Sequence, residues 1–177
     1  MENIDRQMAT RTLEESAGIF REIYGIPGTV PEIVAGMIDM VREDYCFRLQ
    51  CKPGVSDVIR ELHQQNIATA TDRDMIEAAL TRLELDSCFK GIITCGELGV
   101  PKTRPDIYRY AAKELGTRPE ETLVFEDVLH AVRTASSASF PVVSVYDRES
   151  ASDRDEMEAL SVLYLNSFGA WPGIRTV

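Results

Sequence analysis

From Leu13 onward, apolar residues Ala17, Ile19, Phe20 and Ile23 recur at helical spacing and stop at Gly25, which predicts a first helix of about four turns. The stretch before it, up to about Met8, is polar. Pro27, Gly28 and Pro31 punctuate the chain, with Pro31 placed as a first helical residue. Ile33, Val34, Met37, Ile38, Val41 and Tyr45 then mark one face of a second helix. Two helices joined by a short Pro/Gly turn form a helical hairpin, and Phe47 to Gly54 leads out of it.

After that the rhythm alternates between helix and strand, the signature of a parallel α/β sheet. Val55, Val58, Ile59 and Leu62 predict a helix, and Ile67 to Thr71 a short buried strand. Asp72 caps a helix carrying Met75, Ile76, Ala79, Leu80 and Leu83. Gly91 to Thr94 is the next strand, followed by a loop through Gly96, Gly99 and Pro101. Pro105 opens a helix with Ile107, Tyr108, Ala111, Ala112 and Leu115 inward, ended by Gly116. A strand at Thr122 to Glu126, a helix from Val128 to Ser137 and a strand at Val142 to Val145 follow. Asp153 to Leu163 reads as an acidic amphipathic helix, and the chain from Tyr164 as a short strand or docked tail. The expected organisation is residues 1–50 as a helical unit and residues 51–177 as an α/β core.

Composition narrows the classes of function. At 177 residues, 44% hydrophobic and 27% charged, the chain is long and apolar enough for a real core. A net charge of −10 and a pI near 4.7 speak against nucleic acid and anionic membranes as partners, since both need a basic surface. Cys46, Cys51, Cys88 and Cys95 contain no C-x-x-C pair, so neither a zinc knuckle nor a dithiol redox site is indicated. Reduced, mostly buried cysteines are expected. There is no signal peptide and no apolar run of about 18 residues, and a cytoplasmic location is the plain expectation.

Candidate chemistry gathers at predicted strand ends, where open α/β sheets bind ligands. The run Thr122-Leu123-Val124-Phe125 stops at two adjacent carboxylates, Glu126 and Asp127. Thr69 ends another strand, and Lys102 lies in the loop after a third. A hydroxyl and an ammonium hold phosphate oxygens, while carboxylates hold Mg²⁺. Each residue taken alone has a plainer reading: Asp127 as a helix cap, Thr69 as a β-branched strand residue, Lys102 as a solvated loop charge. His63, His130, Arg104, Cys95 and Glu97 lie near these stretches, and none is assigned a role.

In this order and at these spacings the stretches resemble the haloacid dehalogenase (HAD) superfamily, in its phosphatase and phosphoglucomutase-like branch. Ile67-Ala68-Thr69-Ala70-Thr71 looks like that family's second motif, Lys102-Thr103-Arg104-Pro105-Asp106-Ile107-Tyr108 like its third, and Val124-Phe125-Glu126-Asp127 like its fourth. The resemblance implies a Rossmann-like parallel sheet flanked by helices, with residues 1–50 as part of a helical cap. It further implies that Thr69, Ala70 and Lys102 bind the phosphoryl group of a small metabolite, with Thr69 and Lys102 serving the chemistry. Glu126 and Asp127 would ligate or orient Mg²⁺. A receiver-type phosphoacceptor domain also pairs acids with a Thr and a Lys, but the Lys102 to Pro105 stretch lies badly for it.

One departure from the family pattern is large. The family opens with a hydrophobic strand ending in Asp-x-Asp-x-Thr, whose first Asp is the nucleophile, and nothing before Thr69 matches it: Asp5 follows polar residues, and Asp39 and Asp44 fall on the second helix. That strand is the central one in the family, between the strands that here are Ile67 to Thr71 and Thr122 to Glu126. Without it, buried backbone groups lose partners at roughly 1–3 kcal/mol each, so the halves must close up, recruit another strand or sit loosely. The expectation is a truncated, inactive phosphatase; the alternative is a catalytically dead binding or regulatory protein. The open strand edge also makes self-association an expectation.

Overall fold

The computed structural model describes residues 11–62 and 65–173, in two compact units, Met1–Leu49 and Gln50–Val177. His63, Asp5 and Met8 lie outside the described residues.

Among its described residues the first unit holds two helices, α1 (Leu13–Glu22) and α2 (Val30–Glu43), packed on each other and followed by a π-helical turn, Asp44–Arg48. Each helix begins with a reciprocal cap. The Glu15 N–H donates to Thr12 Oγ1 at 3.1 Å while the Thr12 N–H donates to Glu15 Oε2 at 2.9 Å, and Thr29 and Glu32 repeat the arrangement. Pro31 is the second helical residue rather than the first, because Thr29 takes the capping position. Ala17 and Ile33 are buried, but Ile23, Met40 and Phe47 are exposed.

The second unit alternates as the sequence predicts, with several shifted boundaries. Helix α3 (Val55–Glu61) leads to β1 (Gln65–Thr69), α4 (Arg73–Arg82), β2 (Phe89–Thr94), the short α5 (Cys95–Leu98) and α6 (Asp106–Leu115). Then come β3 (Val124–Glu126), α7 (Leu129–Ser137), β4 (Val142–Val145), α8 (Arg154–Leu160), β5 (Leu163–Leu165) and a 3₁₀ turn, Phe168–Ala170. β1 therefore starts earlier than the apolar run, and Ala70 and Thr71 fall in the loop. Polar Gln65 and Asn66 are admitted because their amides donate to the Ile59 and Ala111 carbonyls at 2.6 and 3.2 Å. The predicted acidic helix ends at Leu160, and Leu163 belongs to the terminal strand.

The strands make two parallel sheets rather than one: β1 with β2, and β3-β4-β5. Thr69 is in register with Thr94 in the first sheet, and Glu126 with Ser144 in the second. Helix α6 joins the halves on one side. Ile107, Tyr108, Ala111 and Ala112 share a core with Ile93 of β2, Val132 of α7, Val142 of β4 and Met157 of α8. On the other face Val143, Val145 and Leu165 pack with Phe125, Phe168 and Trp171. Gly54 precedes α3 with φ of 82°, and a Cβ there would lie 2.6 Å from the Gly169 backbone nitrogen, so both the turn and the close approach require glycine.

Candidate functional site

Glu126 ends β3 and is only 8% exposed. A buried carboxylate needs partners, and it has two on the same oxygen: Lys102 Nζ at 2.7 Å and Tyr108 Oη at 2.8 Å. Lys102 comes from the loop after α5. Tyr108 comes from the first turns of α6, whose apolar face holds the phenol in the core. Burial, and then the charge of Glu126, push the Tyr108 hydroxyl far above the usual phenol range, so it stays protonated and donates. Cys95, at the start of α5, is also raised, first by burial; Lys102 pulls it back down and Glu126 adds to the rise. Such a thiol is held as a thiol, not as a thiolate nucleophile.

Asp127 follows directly but turns to a different cation. Lys52 Nζ lies 2.6 Å from Asp127 Oδ2 and 2.7 Å from Asp147 Oδ2, so one ammonium bridges the residues beyond the ends of β3 and β4. Burial alone would lower the Lys52 pKa, but the two carboxylates outweigh it and the net shift is upward. Asp147 is lowered, first by its hydrogen bond from Lys52 and then by the Glu149 N–H. Asp127 does not cap the following helix: Val128 holds the capping position, and no side-chain cap is formed there.

Thr69 closes β1 on the other half-sheet. Its Oγ1 accepts the Thr71 N–H at 3.0 Å, which fixes the loop through Ala70. In the neighbouring strand Thr94 caps α5 by accepting the Glu97 N–H at 3.1 Å. Glu97 itself is bound by Arg73, at 2.5 and 2.8 Å, and that hydrogen bonding holds its carboxyl at about 2. Arg104 pairs with Asp106 on the surface.

Lys102, Glu126 and Asp127 thus come together at the end of β3, while Thr69 stands at the end of β1 in its own loop. Lys52, Asp147 and Tyr108 complete the site without having been singled out as functional. Asp147 carried the signal already used for Asp127, an acid just past a buried apolar strand, and Tyr108 was read as an inward helix residue at the end of the Lys102 to Tyr108 stretch, without a role of its own. Lys52, in an irregular stretch before Pro53, carried none.

Among the described residues no three of His, Cys, Asp and Glu gather as metal ligands. Asp127 and Asp147 nevertheless present two carboxylates to one cation, which is the oxygen donor chemistry a hard divalent ion uses. All four cysteines are free and half-buried rather than buried. No helix among the described residues is long and apolar enough to cross a membrane.

The sequence model for haloacid dehalogenase-like hydrolases matches residues 3–138. The chain is 36% identical over 109 residues to the "Probable pseudouridine-5'-phosphatase" of Drosophila melanogaster, covering 55% of this chain and 47% of that one. It is 29% identical over 140 residues to the bifunctional riboflavin kinase/FMN phosphatase of Arabidopsis thaliana, covering 76% and 37%. The chain spans about half the length, or less, of the curated relatives it matches. In fold it is similar to CbbY from Rhodobacter sphaeroides, solved in complex with phosphate, with a TM-score of 0.76, 22% identity, and coverage of 96% of this chain and 79% of that one. With the family's sequence match running over most of the chain, and a fold of parallel strands flanked by helices like that of CbbY, this chain belongs to the haloacid dehalogenase-like hydrolases.

Proposed function

We propose that this chain carries the phosphate-handling side of a phosphatase for small phosphorylated metabolites, and that its own residues do not complete a turnover. The reading rests on the buried Lys102–Glu126–Tyr108 group set beside the Lys52 bridge at the ends of parallel strands. Glu126, itself held by the Tyr108 hydroxyl, fixes the Lys102 ammonium, which keeps further N–H donors for phosphate oxygens. Thr69 accepts from Thr71, so its own O–H proton remains to donate to a second phosphate oxygen. Asp127 and Asp147 are the residues that would hold Mg²⁺, with Glu126 orienting the neighbouring lysine. A magnesium ion bound there supplies positive charge against the phosphate.

Among the described residues no group at the site is placed to attack phosphorus. Glu126 and Asp127 are engaged by lysines, and the Cys95 thiol is held protonated. The relatives support the substrate class, since pseudouridine 5'-phosphate and FMN, named for two of them, are both small phosphate monoesters. A cytoplasmic location belongs to the same proposal and is supported by four free cysteines. So does the absence of nucleic-acid and membrane partners, supported by the net charge of −10.

The test is p-nitrophenyl phosphate hydrolysis with Mg²⁺, alongside ³¹P NMR titration of inorganic phosphate. We expect negligible turnover, with phosphate binding that is lost in Lys102→Ala. Turnover abolished by Asp127→Ala would overturn the inactivity, and phosphate binding indifferent to Lys102→Ala would overturn the site.

A further inference from the structure

Two lysines meet two neighbouring carboxylates at the end of β3, and they are set differently. The Lys102–Glu126 pair is enclosed: Glu126 is buried, and the Tyr108 hydroxyl closes on the same oxygen. The Lys52 pairs are open, with side-chain exposures of 39% for Lys52 and Asp127 and 29% for Asp147, so dissolved ions reach these oxygens. Lys52 is nevertheless no loose counterion. The Val55 N–H donates to the Lys52 carbonyl at 3.1 Å across Pro53 and Gly54, and Gly54, at φ 82° and ψ −9°, has the backbone of the third residue of a type II turn. Pro53 fixes the second position of that turn, and Gly54 is pressed against the Gly169 backbone. The turn thereby anchors the stem from which the ammonium reaches. Asp147 is aimed as well: its Oδ1 accepts the Glu149 N–H at 2.9 Å, and its Oδ2 faces Lys52.

We infer that Lys52 is a tethered rival of the divalent ion, holding the Asp127 and Asp147 oxygens until that ion takes them and the ammonium swings out, so that metal binding and the Lys52 bridge exclude one another. This rests on the reading of Asp127 and Asp147 as the Mg²⁺ oxygens, and adds the residue that sets how readily they are filled. Both Lys52 contacts are made to Oδ2 atoms, at 2.6 and 2.7 Å. A second cation on those atoms would face the ammonium across a single oxygen, well inside a screening length, and the two would repel. The ammonium brings one positive charge to two carboxylates, whereas a divalent ion brings two, so the exchange neutralises the pair. Partly exposed ion pairs are weak enough to be replaced, and the flexible stem of lysine lets the head leave while the turn stays in place. Lys102 does not yield in this way, because its departure would leave Glu126 buried and uncompensated.

The test reads the two sides of the exchange separately, on the full chain and without activity. Mn²⁺ is titrated into the native chain and Lys52→Met, with the free ion followed by electron paramagnetic resonance. In parallel, the native chain is acetylated by an N-hydroxysuccinimide ester with and without Mg²⁺, and modification of Lys52 is measured by mass spectrometry against exposed Lys113. We expect Lys52→Met to bind Mn²⁺ about tenfold tighter, since two partly exposed ion pairs no longer compete. Mg²⁺ should raise acetylation of Lys52 several-fold relative to Lys113, because the amine released from both carboxylates is open to the reagent, and Asp147→Asn should abolish the rise. Loss of a distant positive charge would also tighten Mn²⁺, but only displacement makes Lys52 more reactive. A native chain that binds no Mn²⁺ beside a variant that does is the same result at its limit. Equal Mn²⁺ affinities, or Lys52 acetylation unchanged or lowered by Mg²⁺ in a chain that binds Mn²⁺, would overturn the competition and leave the metal reading standing. No Mn²⁺ binding by either chain would overturn that reading and this inference with it. If Lys52→Met does not fold by far-UV circular dichroism, Lys52→Gln takes its place.

Discussion

All four residues of β4 are buried, whereas none of the five residues of β1 is. β4 is the more apolar of the two, and its neighbours complete the difference. β4 has strands on both sides and a helical layer, and its one polar residue, Ser144, meets the Ser161 hydroxyl at 2.6 Å. Among the described residues β1 pairs with β2 alone, and it carries Gln65 and Asn66, polar residues that a fully enclosed strand would have to satisfy on both faces. A parallel sheet divided at its middle leaves one half with a complete interior and the other with a partial one. The site straddles that division: Glu126 and Asp127 belong to the well-packed half, Thr69 to the other, and Lys102 reaches Glu126 from the loop that follows β2 and α5.

The sharpest break in this comparison is a core truncation in each half. Leu165→Ala, in the strand beside β4, removes a side chain that is 2% exposed and should destabilise by about 2–5 kcal/mol in urea unfolding. Ile67→Ala in half-buried β1 should lose no more than about half of that, and equal losses would dissolve the distinction. Glu126→Gln comes next, at about 2 kcal/mol, because it strands the Lys102 ammonium and changes the acceptor of Tyr108. Gly54→Ala should lose about 1–3 kcal/mol through its positive φ and its contact with Gly169.

Smallest is the effect of pH on the Lys52 bridge, at about 0–1 kcal/mol because its members are partly exposed. Asp147 has a lowered pKa in the folded state, so its contribution is present above its unfolded value of 3.8 and fades as pH falls through the lower folded one. Lys52 is raised, so its share is present below 10.5 and is lost only as pH climbs through the higher folded value. The stability difference between the native chain and Lys52→Met should therefore be flat from about pH 5 to 9 and shrink outside that window. A difference that changes near neutrality would refute the assignment.

Sequence periodicity found β1 to β4 among the described strands, left the last as a strand or docked tail, and found the order of the described helices except the short α5, which it read as a loop, because burial on a helix or sheet face imposes a spacing. It placed β1 too late, since it followed the apolar residues Ile67 and Ala68 while the strand is extended backward by amides that bond to distant carbonyls. It read the Glu126–Asp127 pair as one unit, yet the two side chains diverge to Lys102 and Lys52, as neighbours at a strand end do when they leave on opposite faces. Lys52 lies 75 residues before Asp127 in the chain, and no local pattern announces a partner at that distance.

The contact of Gly54 with Gly169 brings the beginning of the α/β unit against its last described turn. Chain order and spatial order are thereby partly uncoupled: a short linker from Trp171 to Cys51 would close the unit into a ring. Such a ring, reopened in an exposed loop such as that after β4, should rebuild the same layers from a circularly permuted gene.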